Sequence, residues 1–243
     1  MELLQSTDFW LGLMLIYSLM KDAGGGKIDW TLNLQNYWTV WVEKPQYRAL
    51  MQRSLTVSML VTLATVVLAY PVAYFVSFSV APSKKSLWLF LITIPFWTNL
   101  LIRTYAINEV LRKEGLMNTV LMGMGITDTP IEVLYTQTAI FIGMTYVYLP
   151  LMVLPLFAAI DRFDMRLLEA GYDLYASRWN VLRRIILPIT KPGIIAGSIL
   201  VFVPSLGAYV TPRVLGGGKQ MMIGNFIELQ FGQGRNWPLG SAL

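Results

Sequence analysis

The sequence predicts an all-α, polytopic membrane protein, and three observations carry that reading. Hydrophobic residues make up 55% of the chain and charged residues 14%, against about 25% charge in an ordinary soluble domain. Mean hydropathy is positive. Four long apolar runs, of the order of the roughly 20 residues that cross a bilayer core, alternate with segments that gather most of the charge. Cysteine and histidine are both absent. Their absence removes disulfide frameworks, Cys/His zinc sites and any dyad or triad that needs an imidazole base.

Taken in order, Met1 to Asp8 (MELLQSTD) is acidic rather than basic and does not read as a cleaved signal peptide. Phe9 to Met20 is apolar but too short to span. It is expected to be interfacial, or a span from which residues are missing. Lys21 to Arg53 holds Gly24, Gly25 and Gly26 with Trp30, Tyr37, Trp38, Trp41 and Tyr47. It reads as a loop with interfacial helices, its aromatics at headgroup level. Ser54–Val80 is the first clear span and carries Pro71. Ala81–Ser86 is a tight turn with Lys84 and Lys85, and Leu87–Ile102, with Pro95, is the second span. Arg103–Gln137 is mixed, with a short helix expected around Ala106–Lys113. Thr138–Ile160, with Pro150 and Pro155, is the third span, and Ile189–Val210, with Pro192 and Pro204, the fourth. Gly193 and Gly197 form a small-xxx-small pair. Two readings remain open for it: close approach of two helices, or a junction loosened by Pro192. An apolar run is expected to continue past Leu243.

The net charge of +5 comes from scattered residues that form no stripe, so nucleic acid is not the expected partner. Loops facing anionic lipid and a protein partner account for it. The short basic loops, Ala81–Ser86 and Asp161–Pro188, share one side if the spans alternate. Their density of Lys and Arg places them in the cytoplasm.

Asp161 to Pro188 reads as two amphipathic helices outside the membrane. Phe163, Leu167, Ala170 and Leu174 recur at helical spacing. Ser177 is a candidate N-cap, and Trp179, Leu182 and Ile186 line a second apolar face. Pro188 is expected to force an extended residue before it and re-set the chain direction. An exposed apolar stripe of this kind asks for a partner, although an amphipathic linker resting on lipid would show the same composition.

Glu169-Ala170-Gly171 followed by Ile185-x-Leu187-Pro188 resembles the EAA loop of ABC importer permeases. The spacing from glutamate to proline matches that pattern. Gly171 replaces its third-position alanine, and Tyr175 stands where glycine is usual, which puts the sharpness of the turn in question. Ile94–Ala106, Asp128–Thr136, Pro192–Gly218 and Ile223–Ala242 resemble, in that order, segments of spermidine/putrescine-type permeases of the PotB/PotH-like kind.

The resemblance implies one transmembrane domain over residues 1–243, of the type I (MetI-like) importer fold, with 161–188 as the cytoplasmic coupling loop. About five spans fall in this chain, and a final sixth is expected after Leu243. It implies a bacterial inner-membrane location. The implied partners are an ATP-binding subunit dimer, a second homologous permease and an extracytoplasmic solute-binding protein. Glu169, Ala170, Gly171, Asp173, Tyr175, Ala176, Ser177 and Pro188 are the implied ATPase-coupling residues. No cofactor is expected in this chain, with ATP and Mg bound by the partner ATPase. The two GGGK strings, Gly24–Lys27 and Gly216–Lys219, lack the earlier glycine and following Ser/Thr of a phosphate-binding loop.

A polyamine is a flexible polycation, so its path should offer carboxylates and aromatic faces. The clear spans contain no acid. The candidates are Trp97, Tyr105, Tyr146 and Tyr209, with Phe96 and Tyr148, and the flanking acids Glu109 and Glu228. Interface anchoring or packing is the alternative for each aromatic. Arg103 is expected to snorkel or to pair with Glu109. Another solute (an opine, amino acid, thiamine or iron) stays open on these residues. A membrane-embedded enzyme is disfavoured by the missing His, Cys and acidic pair, and a passive anchor by the coupling pattern.

Overall fold

The computed structural model describes residues 7–243. The reading of the first residues as no signal peptide falls mostly outside them. The elements, in order, are α1 (Thr7–Ser18), β1 (Lys21–Gly24), β2 (Lys27–Asp29), α2 (Gln35–Trp38), α3 (Pro45–Phe78), α4 (Pro82–Trp97), α5 (Leu100–Leu111) and α6 (Leu116–Gly123). They continue with α7 (Gln137–Asp161), α8 (Arg166–Asp173), α9 (Arg178–Val181), α10 (Leu187–Leu206), α11 (Val210–Leu215), α12 (Ile223–Phe231) and α13 (Trp237–Ala242).

Among the described residues three helices are long and apolar enough to cross a membrane: Pro45–Phe78, Gln137–Asp161 and the continuous Arg178–Leu206. A bent pair, Pro82–Trp97 and Leu100–Gly123, folded by 91° at its break, is a broken span or a re-entrant loop and makes a fourth crossing when counted as one span. The helix α1, at 12 residues, reaches about 18 Å, short of a roughly 30 Å core.

The core is a sandwich of α3, α7 and α10. Val61, Ala69, Ala73, Met144, Met152, Leu156 and Val201 are buried there. Lipid tails are as apolar as these side chains, so association rests on close van der Waals packing, which small residues permit. Gly193 and Gly197 supply it. A Cβ at Gly193 would run into the Ala159 side chain and lie 2.8 Å from the Pro155 carbonyl, and one at Gly197 would lie 2.6 Å from Met152 Sδ. The pair is therefore a close helix approach rather than a loose junction. Two threonine hydroxyls inside the bundle bond back to their own helices: Thr62 Oγ1 donates to the Ser58 carbonyl at 2.7 Å and Thr145 Oγ1 to that of Phe141 at 2.7 Å. Tyr70 Oη lies 3.1 Å from Thr190 Oγ1, tying α3 to α10.

The second span is where sequence and structure part. Leu87–Ile102 is not one straight helix; it breaks at Thr98–Asn99. Pro95 removes a helix donor, Thr98 Oγ1 donates back to the Pro95 carbonyl at 2.7 Å, and the Asn99 side chain accepts from Leu101 N at 2.8 Å, capping α5. The short helix expected at Ala106–Lys113 is the latter part of α5 and starts earlier. Replacing Asn99 with alanine should cost about 1 kcal/mol by loss of that cap, read as a lower melting temperature in detergent with the fold retained.

Further expectations are corrected. Pro188 does not re-set the chain. Leu182–Ile186 forms a wide π-helical turn, and Pro188 sits in the first turn of α10, where its missing N–H is tolerated, so the helix runs on. The segment 21–53 holds an antiparallel hairpin, β1 with β2, whose turn uses positive φ at Gly24, Gly25 and Gly26. Trp30, Trp38 and Trp41 are exposed there, but Tyr47 is buried, its ring packed edge-on at 5.2 Å on Phe226. Ala81–Ser86, expected as a tight turn, is helical from Pro82 and forms the start of α4; there Lys85 Nζ meets Asp161 Oδ1 at 2.6 Å, so it shares one end of the bundle with the start of the 161–188 segment.

Candidate functional site

At that end the chain leaves α7 and builds a helical hairpin. Asp164 Oδ1 accepts from Arg166 N at 3.0 Å, starting α8. Tyr175 N donates to the Tyr172 carbonyl at 2.9 Å and Ala176 N to the Gly171 carbonyl at 3.1 Å. Those two bonds, with Tyr175 at φ 57°, make a Schellman closure of α8. Its left-handed position usually takes glycine, because a Cβ there costs about 1–2 kcal/mol. The turn is as sharp as a glycine would make it, with a tyrosine side chain 98% exposed at its tip. Ser177 then caps α9, its Oγ accepting from Asn180 N at 3.3 Å.

Of the two apolar sets read from the spacing, Phe163 and Ile186 turn inward and most of the rest stays outside, as an exposed stripe awaiting a partner would. Phe163, Leu168, Val181 and Ile186 are buried together against Tyr74 and Phe78 of α3. Phe78 and Phe163 stack edge-to-face at 6.1 Å. On α8 the residues that face inward are Leu168 and Gly171. Leu167, Ala170, Leu174 and Trp179 lie outside. Gly171 lies at the crossing, where a Cβ would come 2.8 Å from Ile185 Cδ1. Glu169, Asp173, Ser177 and Pro188 are exposed and Ala176 is half-buried. The result is an outward face carrying Leu167, Leu174, Tyr175 and Trp179 among charges of both signs.

The substrate-path candidates are spread more widely. Trp97 ends α4 at the break and is 81% exposed. Tyr105 and Glu109 lie on α5, and Glu109 pairs with Arg112 at 2.8 Å, not with Arg103. Trp97 precedes α5 across the break, and Glu109 lies near the far end of α5, about 14 Å along its axis from Leu100. Tyr146 is exposed on α7. The Tyr209 carbonyl accepts from Asn225 Nδ2 at 2.7 Å, holding α12 against the start of α11. Glu228 pairs with Arg213 at 2.9 Å in a cleft of about 220 Å³ also lined by Met221 and Gln233. Thr104 Oγ1 and Thr211 Oγ1, 3.4 Å apart, bring α5 and α11 together. Tyr105 and Glu109 share α5, which meets α11 and α12 where Tyr209 and Glu228 sit, whereas Trp97 and Tyr146 lie on α4 and α7.

Sequence reasoning missed Arg103. It neither snorkels nor pairs; it is 8% exposed, with Nη1 3.4 Å from the Val147 carbonyl. The signal for the break that buries it was the Thr98-Asn99 pair, a strong helix cap inside an apolar run.

No family model matches the chain. Relatives do. It is 40% identical over 95% of its length to the spermidine/putrescine transport system permease protein PotB of Haemophilus influenzae, covering 80% of that protein. It is 43% identical over 82% of its length to the Escherichia coli PotB, covering 72% of it. The Escherichia coli inner membrane ABC transporter permease YdcU is 30% identical over 78% of this chain and 64% of its own. Among solved structures, a bacterial ABC transporter importing the acidic polysaccharide alginate superposes with a TM-score of 0.71 at 16% identity, over 97% of this chain and 82% of that one. An alginate transporter complexed with its pentasaccharide-bound periplasmic protein gives 0.67 at 17% identity, over 87% and 76%. At these identities the structures speak for the fold and the sequences for the kinship. The chain belongs to the PotB family of spermidine/putrescine transport permeases and has the fold of an ABC importer's membrane-spanning subunit.

Proposed function

We propose that this chain is a translocating subunit of a polyamine importer of the inner membrane, and that residues 161–188 are where a separate ATPase drives it. The observation that carries the proposal is the hairpin. It is pinned inward through Phe163, Leu168, Val181 and Ile186 and presents Leu167, Leu174, Tyr175 and Trp179 outward. A partner cleft that covers those side chains and meets Glu169, Asp173 and Arg178 removes an apolar patch from water. The named relatives support the polyamine assignment, and the exposed aromatics at the break are the chemistry a polycation requires. In this reading nucleotide and Mg bind the ATPase dimer. A second, homologous permease completes the pore, and an extracytoplasmic binding protein delivers solute. Closure of the ATPases tilts the spans between inward- and outward-open states.

The test is reconstitution with the neighbouring subunits in proteoliposomes. Spermidine or putrescine with the binding protein should stimulate ATP hydrolysis and uptake together. Glu169→Lys should cut uptake about tenfold or more while the complex stays monodisperse, a loss of the size of an ordinary coupling free energy. Normal uptake in that variant removes the hairpin from the mechanism.

A further inference from the structure

Arg103 is the one described charged side chain buried inside the bundle. Depth along α7 puts it near mid-membrane. Its acceptor, Val147, lies ten residues into the 25-residue α7, about 15 Å along a helix about 37 Å long. A guanidinium carries five N–H donors and does not deprotonate. Here Nη1 makes one long bond to the Val147 carbonyl at 3.4 Å, and Nε has no partner. Its carbon sits 5.7 Å from the Phe96 ring centroid. None of the four ion pairs among the described residues uses it. An ionised group so incompletely paired at this depth is costly, and such residues in membranes mark function.

The seat that Arg103 occupies is built for an alkylammonium: a backbone carbonyl, an aromatic face and the C-terminal end of α4, whose dipole is negative. It is also reachable. Phe96 is half-exposed, Trp97 beside it is nearly free, and the backbone is broken at this point. Discontinuous helices at the midplane are a recurrent way to build such a seat.

We infer that Arg103 is a tethered cation that fills the substrate's ammonium seat when the pore is empty and is expelled when the substrate arrives. This rests on the polyamine reading and deepens it. Two positive charges repel strongly in a low-dielectric cavity, so an ammonium settling on Phe96 drives the guanidinium off Val147. That releases the contact of Arg103 with α7 and allows the broken span to move. Until then the positive charge bars small cations. Arg103 is a positioning and selectivity residue, not part of the energy-coupling surface.

The chain contains no cysteine, which permits a charge-rescue experiment in the complete reconstituted complex, with cysteine-free partner subunits. Arg103→Cys should raise hydrolysis in the absence of polyamine by about fivefold or more and lower the KM for spermidine uptake. Modification with 2-aminoethyl methanethiosulfonate, which restores a positive charge, should return both to the unmodified wild-type values; the neutral methyl reagent should not. Arg103→Lys, which keeps charge without the guanidinium fork, should stay close to wild type and serves as the folded control. The inference is overturned if the two reagents act alike. It is equally overturned if Arg103→Cys lowers uptake with KM and basal hydrolysis unchanged, the signature of a plain brace, or if Arg103→Lys behaves as Arg103→Cys does. A wild-type complex that ignores polyamines would instead refute the substrate assignment, leaving the charge rescue of basal hydrolysis to stand or fall alone.

Discussion

Gly193→Leu should abolish recovery of a stable permease. The glycine sits where α10 crosses α7, and a Cβ there meets the Ala159 side chain and the Pro155 carbonyl, 2.8 Å away. The first obstacle is a short side chain and the second is backbone, so neither swings aside. Overpacking a close-packed interior costs about 1–3 kcal/mol when flexible groups absorb it. With the helices forced apart along the contact, the loss should exceed about 3 kcal/mol and reach much of a marginal folding free energy. The measurement is monodisperse yield and melting temperature in detergent. Gly193→Ala should fall between wild type and the leucine variant, because the methyl group alone already forces a shift. A leucine variant that elutes and melts as wild type does would show that α7 and α10 do not approach as closely as described.

Gly171→Leu should separate transport from folding. A Cβ at Gly171 lies 2.8 Å from Ile185 Cδ1 and 3.5 Å from Val181 Cγ2. The nearer atom is the free end of a flexible side chain, so Gly171→Ala needs only a rotamer change at Ile185 and should keep most of its uptake. A leucine cannot fit between α8 and the helix that carries Val181 and Ile185. It must pry the hairpin open, moving Glu169 and Tyr175 together away from their present placement. Because the α3–α7–α10 core is not touched, yield and melting temperature should stay near wild type. Uptake should drop by about tenfold or more, with polyamine no longer stimulating hydrolysis. Full uptake in the leucine variant would mean that the internal geometry of the hairpin does not matter to the motor.

Much of this was legible from residue order alone, because a bilayer imposes long apolar runs and helices satisfy their own backbone. Ser54–Val80 coincides with α3 up to its end at Phe78, Thr138–Ile160 sits inside α7, and the spacing from Glu169 to Pro188 located the hairpin. What escaped had identifiable causes. The break after Trp97 is written in two small polar residues within an otherwise apolar run, and averaging over the run conceals them. The buried face of α8 is set by Tyr74 and Phe78, about 90 residues upstream, so periodicity within 161–188 found an apolar set but not the side that faces inward. Pro188 looked like a helix stop because the widened turn before it is a property of backbone geometry with no composition of its own. Arg103 reads as a boundary residue in sequence because it follows an apolar run; the fold at Thr98–Asn99 is what carries it inside. Tyr175 shows the opposite case. Its departure from glycine suggested a blunter turn, yet the two backbone bonds that close α8 hold it at φ 57° regardless.

The length of α3 has a mechanical corollary. Its 34 residues extend about 51 Å, well beyond a 30 Å hydrocarbon layer. One tip packs Phe78 on Phe163 under the hairpin, and the other packs Tyr47 on Phe226 at the opposite rim. Rocked as one body, such a rod would act as a seesaw. A rocking of only 5° about its middle carries each tip about 2 Å in opposite senses. In that motion a thrust at Phe78 would be felt at Tyr47, reversed in direction, without any signal passing through the side chains between them.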